Sequence, residues 1–289
     1  MITILVTGCM GQLGNELMAA SKNYFGYEFI FTDLNELDIT NSELTNKFIK
    51  TENPDWIINC AAYTAVDKAE TEVEKAFLIN STGIENIVNA IKGTDCKLIH
   101  ISTDYVYNGQ SCTPYSENDE TDPSSIYGNS KLAGEKHVLL HPESLIIRTS
   151  WLYSSFGNNF VKTILRLSSE KEFLKVVYDQ VGTPTYAADL ATSILSIISG
   201  VIKNQTAFIP GIYNYSNEGV CSWFDFAVAI NQLSGSTCKI SPVLSEEFPL
   251  PAKRPFYSVL NKKKIKETYN LNIPHWRESL AKCIIQLLK

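Results

Sequence analysis

The sequence predicts an α/β protein: a Rossmann-type, doubly wound parallel sheet followed by a smaller C-terminal α/β substrate-binding region. Three observations carry this. An apolar run, Ile2-Thr3-Ile4-Leu5-Val6-Thr7, leads directly into Gly8-Cys9-Met10-Gly11-Gln12-Leu13-Gly14 and then a helical pattern. Short β-branched runs alternate with helix-length segments up to about residue 150, the pattern of parallel βα units. Beyond that point Pro184, Pro210, Pro242, Pro249, Pro251, Pro255 and Pro274 divide the chain into shorter pieces.

The first run is apolar on both faces, as a buried parallel strand requires. Strand, glycine turn and helix in succession are the context of a dinucleotide-binding fingerprint. Its glycines allow a tight turn and close approach to a pyrophosphate, and the helix N-terminus offers free N–H groups and a positive dipole end. The spacing is G-x-x-G-x-x-G, and a ligand-free glycine turn is the alternative reading. Glu28 to Asp33 forms a second strand ending in an acid, and Asp55 to Cys60 a third, after Pro54. Val66 to Ile91 reads as a long helix. Cys96 to Ile101 is a fourth strand that delivers Ser102-Thr103-Asp104, and Ser144 to Thr149 is a fifth. Ligands of such sheets sit outside the carboxyl ends of the strands. Gly8, Asp33, Ala61, Thr103 and Thr149 all lie there, so one cleft could gather them. The expected division is a dinucleotide-binding domain over 1–150 and a mainly substrate-binding domain over 151–289. A return segment is expected near 175–200, as a strand Lys175–Tyr178 and a helix Ala187–Ser199.

Tyr127 and Lys131 are four residues apart and share one helix face. A phenol has an unperturbed pKa of about 10; an adjacent ammonium would lower it. With the Thr103 hydroxyl at a strand end, the set suits proton transfer to a carbonyl oxygen. Each residue also has a plainer reading. Tyr127 and Lys131 could be surface groups, Thr103 a strand end, Asp104 a helix N-cap and Trp151 core packing. Arg254 could be a loop charge, although guanidinium forks fit phosphate oxygens.

A charged fraction of 19% and a net charge of −6 argue against a general nucleic-acid binder. Lys262-Lys263-Lys264, the only basic run, reads as the start of a helix. No basic-then-apolar signal segment is seen, and no apolar run is long enough to span a bilayer. Seven scattered cysteines suggest reduced thiols and a cytoplasmic protein. The four histidines are widely separated, with no zinc-site spacing, and no metal is assigned.

Further segments sharpen the picture: Asn59 to Glu70 (NCAAYTAVDKAE), Ser102 to Tyr107 (STDYVY), Tyr127 to Glu135 (YGNSKLAGE), Arg148 to Tyr153 (RTSWLY), Gly157 to Phe160 (GNNF), Asp179 to Thr185 (DQVGTPT) and Pro251 to Pro255 (PAKRP). With the glycine motif, they make the chain resemble the extended short-chain dehydrogenase/reductases, and among these the dTDP-4-dehydrorhamnose reductase family, over nearly its full length. The resemblance implies reduction of a 4-keto sugar nucleotide, with Thr103, Tyr127 and Lys131 catalytic. It implies an NADPH or NADH site formed by Gly8, Gly11, Gln12, Leu13, Gly14, Asp33, Asp38, Ile39, Ala62, Tyr63 and Thr64 with Tyr127 and Lys131. It places Thr103, Asp104, Trp151, Asn159 and Arg254 against a dTDP-sugar. Some family members bind magnesium at a dimer contact through glutamates. Glu16 matches one such position, but Ala188 stands where another is expected, and a homodimer is left open. Charge favours NADH, because Asp33 lies in an acidic stretch free of Lys and Arg, whereas the family is commonly NADPH-dependent; use of both is expected, with NADH at least as good. Two other readings stay open: a sugar-nucleotide epimerase or dehydratase, although Tyr105 stands where a dehydratase carries Glu, and a non-catalytic NAD(P)-binding regulatory subunit.

Overall fold

The computed structural model describes residues 1–289. Its centre is a six-stranded, all-parallel sheet. From one edge to the other the strands are Gly211–Tyr215, Ser144–Thr149, Lys97–Thr103, Trp56–Asn59, Ile2–Thr7 and Tyr27–Thr32. The inner strands Trp56–Asn59 and Ser144–Thr149 are buried at every position, because helices cover both faces. Side chains alternate between those faces. Ile4 and Val6 join Leu17, Leu190 and Ile194 in one core layer, whereas Leu5 joins Ile57, Leu98, Ile49 and Ile87 in the other. Leu17 is wholly buried, so truncating it to Ala is worth about 2–5 kcal/mol.

Strand order reverses beside Ile2–Thr7, between Tyr27–Thr32 on one side and Trp56–Asn59 on the other. That switch point is where an open parallel sheet leaves a crevice at its carboxyl ends.

The region read as one long helix over 66–91 is broken into Val66–Ala69, Val73–Phe77, a π-helical turn Leu78–Thr82 and Gly83–Ala90. The wide turn brings Asn80 inward. Its Oδ1 accepts from the Tyr63 N–H at 2.8 Å, and its Nδ2 donates to the Tyr63 carbonyl and the Ser130 hydroxyl, both at 3.0 Å. Such π-bulges recur at functional sites; this one ties the loop after the third strand to the helix Ile126–Val138.

The sixth sheet strand, Gly211–Tyr215, has no counterpart in the sequence reading. The strand expected near Lys175 is Phe173–Val177, and it pairs with Lys239–Val243 outside the main sheet. The helix Ala187–Ile202 packs along Gln12–Ser21 and shares the core cluster of Ile4 and Val6. A further core forms around Tyr153, Phe226 and Trp276, between the helices Phe160–Glu170, Trp223–Ser234 and Trp276–Leu287. No helix is long and apolar enough to cross a membrane.

Candidate active site

The glycine turn sits at the switch point. Gly8 has φ +67, and a Cβ there would lie 2.6 Å from the Ala61 nitrogen; only glycine suits both the left-handed backbone and the contact. Gly14 lets the helix cross the turn, since its Cβ would meet Cys9 Cα at 2.5 Å. Gly11 caps the helix Gln12–Ser21 with no side-chain hydrogen bond, and the first turn carries no acid. Its amides are therefore available to an anion.

Thr103 ends the strand Lys97–Thr103. Its Oγ1 donates to Asp104 Oδ1 at 3.0 Å and accepts from the Tyr105 N–H at 3.2 Å. Tyr127 lies in the first turn of Ile126–Val138, a helix capped by Ser125 Oγ, which accepts from the Gly128 N–H at 3.1 Å. The Tyr127 ring is buried edge-on to Tyr105, with centroids 5.5 Å apart. Burial raises its pKa above the ordinary phenol value, opposed by a hydrogen bond with Thr103. This corrects the expectation that Lys131 would lower it. Desolvation dominates, Asp104 and Tyr105 add to it, and Lys131 Nζ is turned instead to the Ile101 carbonyl at 2.7 Å. Burial also pushes Lys131 down to about 8, opposed by Glu135 and Cys60.

Burial raises the Asp104 carboxyl to about 7, against hydrogen bonds from Thr103 and Ser258. Its Oδ2 has no hydrogen-bond partner. Trp151 has φ +47, which is rare for a large side chain. Its indole stacks on Trp223, and it fits only because position 182 is glycine: a Cβ there would lie 2.6 Å from Trp151 Cε2.

These groups share one cleft of ≈ 590 Å³. Among the residues expected at a site, it is lined by Gly8, Gly11, Gln12, Leu13, Gly14, Ala62, Thr64, Thr103, Asp104, Tyr127, Lys131 and Trp151. The others lie off its wall. Asp33 accepts from the Met10 N–H at 2.9 Å, so its carboxylate braces the glycine turn. Asp38 binds the Thr40 N–H and hydroxyl, and Ile39 is buried in the core. Tyr63 is held by Asn80, and its hydroxyl donates to Glu72 at 3.2 Å. Asn159 caps Phe160–Glu170, and its Nδ2 donates to Gln12 Oε1 at 2.9 Å, linking the two halves of the cleft. Arg254 donates to Asp67 Oδ2 at 2.6 Å and to the Tyr105 hydroxyl at 3.3 Å, at the rim. Glu16 is buried and accepts from Ser154 Oγ at 2.6 Å.

The cleft also includes Cys60, Val66, Tyr105, Ser150, Asn158 and Trp223, which the sequence reading did not assign. Ser150 and Asn158 lie within segments already singled out. Trp223 opens a helix far along the chain, and nothing local marks it as a wall of the cleft.

A family model described as the RmlD substrate binding domain matches residues 2–289. The spore coat polysaccharide biosynthesis protein SpsK of Bacillus subtilis is 43% identical over 283 residues, covering 97% of this chain and 96% of that one. A dTDP-4-dehydrorhamnose reductase from Clostridium acetobutylicum superposes with a TM-score of 0.93 at 44% identity, covering 100% of both chains. The dTDP-4-dehydrorhamnose reductase of Bacillus anthracis, solved in complex with NADP, gives a TM-score of 0.93 at 40% identity, covering 99% of each chain.

Proposed function

The chain belongs to the dTDP-4-dehydrorhamnose reductase family, and from that membership we propose that it reduces dTDP-4-dehydro-6-deoxy-L-mannose to dTDP-L-rhamnose with NADH or NADPH. The observation that carries the reading is the convergence of Thr103, Tyr127 and Lys131 on a cleft floored by the glycine turn.

The uncapped amides after Gly11 and the open turn suit a dinucleotide pyrophosphate, and the bound nicotinamide supplies the hydride. The protein's part is proton handling and geometry. Tyr127, kept protonated by burial, gives its proton to the C4 oxygen as charge grows there. Thr103 Oγ1 hydrogen-bonds the same oxygen, aligning it with the phenol. Lys131 holds the nicotinamide ribose and returns a proton to Tyr127. Asp104 receives a sugar hydroxyl on its unpartnered oxygen, Trp151 walls the sugar site, and Arg254 exchanges Asp67 for the substrate pyrophosphate. In this reading residues 1–150 hold the cofactor and 151–289 mainly the substrate, and the enzyme works in the cytoplasm. Asp33 makes NADH at least as good a cofactor as NADPH.

The test is incubation with dTDP-4-dehydro-6-deoxy-L-mannose and NADH or NADPH, following absorbance loss and product identity. Stoichiometric cofactor consumption with dTDP-L-rhamnose formed is expected. Catalytic cofactor recycling would point to an epimerase or dehydratase, and no turnover to a binding protein.

A further inference from the structure

A row of buried polar side chains crosses the sheet from the glycine turn to Lys131. Thr7, Asn59 and His100 are register partners on three adjacent strands. Thr7 Oγ1 donates to Asn59 Oδ1 at 2.5 Å, Asn59 Nδ2 lies 2.9 Å from His100 Nδ1, and His100 Nε2 lies 3.5 Å from Lys131 Nζ. None of the four is more than 2% exposed. The reaction described above leaves Thr7, Asn59 and His100 without a task.

The row has a direction. Because Thr7 donates to the Asn59 carbonyl, the Asn59 amide is turned to donate to His100 Nδ1. Nδ1 must then be the acceptor, so the single proton of a neutral imidazole sits on Nε2. His100 is neutral: burial, and secondarily Lys131, hold its pKa well below the ordinary value. Nε2–H therefore points toward Lys131 Nζ. An ammonium has no lone pair to receive that proton, whereas a neutral amine has one.

We propose that His100, fixed by Asn59 and Thr7 as an Nε2–H donor, is a positioning residue that favours the amine form of Lys131 and directs its remaining hydrogen bonds to the Ile101 carbonyl. The idea rests on the reading that Lys131 holds the cofactor. The other titratable groups facing Lys131 are Glu135, on its own helix, and Cys60, after the neighbouring strand; Glu135 and Cys60 favour the ammonium. Tyr127 lies one turn earlier. His100 thus opposes Glu135 and keeps the lysine able to give up and regain a proton near working pH.

Two measurements test this. Long-range ¹⁵N–¹H spectra of the wild-type protein read the His100 tautomer, with His100→Gln used to assign the signal. An Nε2–H ring is expected; an Nδ1–H ring overturns the proposal. Second, NADPH dissociation constants are followed against pH. His100→Ala removes the donor and leaves room for water to accept from Nζ, so loss of affinity at alkaline pH should move up by about half a pH unit or more, because an acceptor favours the charged amine. His100→Gln, whose carbonyl takes the Asn59 N–H and whose amide faces Nζ, should keep it in place. An alkaline limb that stays put in a folded His100→Ala protein, or that moves as far in His100→Gln, overturns the proposal. If neither variant folds, the wild-type tautomer, assigned by through-bond correlation from the backbone, decides alone. An unaltered NADPH affinity in Lys131→Ala would instead remove the cofactor role of Lys131, and the tautomer would still decide the role of His100.

Discussion

The indoles of Trp151 and Trp223 lie face to face, with ring centroids 3.6 Å apart and planes 8° from parallel. Trp151 holds a left-handed backbone conformation, which costs about 1–3 kcal/mol and persists only where the surroundings impose it. Trp223 stacks on the indole that this conformation projects, and the missing side chain at Gly182 leaves it room. Trp223→Ala should raise the substrate KM about tenfold, with cofactor affinity unchanged, because an aromatic pair is worth about 0.5–1.5 kcal/mol beyond its buried area. Steady-state kinetics alongside NADPH titration check this; an unchanged KM would mean that the stack does not support the substrate wall.

Tyr127→Phe should lower kcat by about 10²–10⁴, the usual range for a general acid, and leave NADPH binding nearly intact. A variant with more than about a tenth of wild-type kcat would remove Tyr127 from that role.

Asp104 introduces a pH dependence of stability. Its folded pKa of about 7 lies above the ordinary carboxyl value of 3.8. A raised carboxyl pKa means that the unfolded chain loses its proton first. The resulting penalty is absent below about pH 4, grows between about pH 4 and 7, and is complete above 7. Asp104→Asn should therefore stabilise the protein more at about pH 8 than at about pH 5, by on the order of 3 kcal/mol. Denaturant unfolding at the two pH values decides; an equal effect at both would mean that Asp104 ionises normally.

Glu135 receives Arg148 through both oxygens, at 2.9 and 2.6 Å, and also takes the Ser102 hydroxyl. Both partners are at most 3% exposed. Glu135→Ala leaves a buried guanidinium unpaired and should cost about 3–5 kcal/mol. The double change Glu135→Leu with Arg148→Met should recover much of the loss, since apolar replacements of buried ion pairs are often tolerated. Urea midpoints would show it; a double variant as unstable as Glu135→Ala would make the pair a net stabiliser.

On the proposed placement of Asp33 at the adenosine ribose, Asp33→Ala should raise kcat/KM for NADPH relative to NADH by about tenfold, near 1.4 kcal/mol, by removing a carboxylate that a 2′-phosphate would meet. An unaltered ratio would place the adenosine ribose elsewhere.

The parts of this molecule that the sequence makes legible are those in which one residue type answers to one local rule. The strand before Gly8, the turn itself, and the face shared by Tyr127 and Lys131 all follow from periodicity and backbone freedom. Where tertiary contacts override the local pattern, the reading stops. Val66 to Ile91 has helical spacing throughout, yet Asn80 widens the turn to reach Tyr63 and Ser130, partners far away in sequence. Gly211–Tyr215 is a short strand after Pro210, and only its pairing with Ser144–Thr149 makes it part of the main sheet. Trp223 reaches the cleft through packing alone. The Tyr127 pKa failed differently: spacing predicts the neighbouring charge but not the depth of burial.

The packing of Ala187–Ile202 along Gln12–Ser21 also has a consequence for biosynthesis. The apolar flank of the first helix, including Leu13 and Leu17, is sealed by residues such as Leu190 and Ile194, which leave the ribosome about 175 residues later. At translation rates of about 5–20 residues per second, that flank waits roughly 10–35 s for its cover. The flank of the first helix is thus among the first apolar surfaces made, yet it is covered only after about two-thirds of the chain has been synthesised, which gives chaperones that shield apolar surface a long opportunity there.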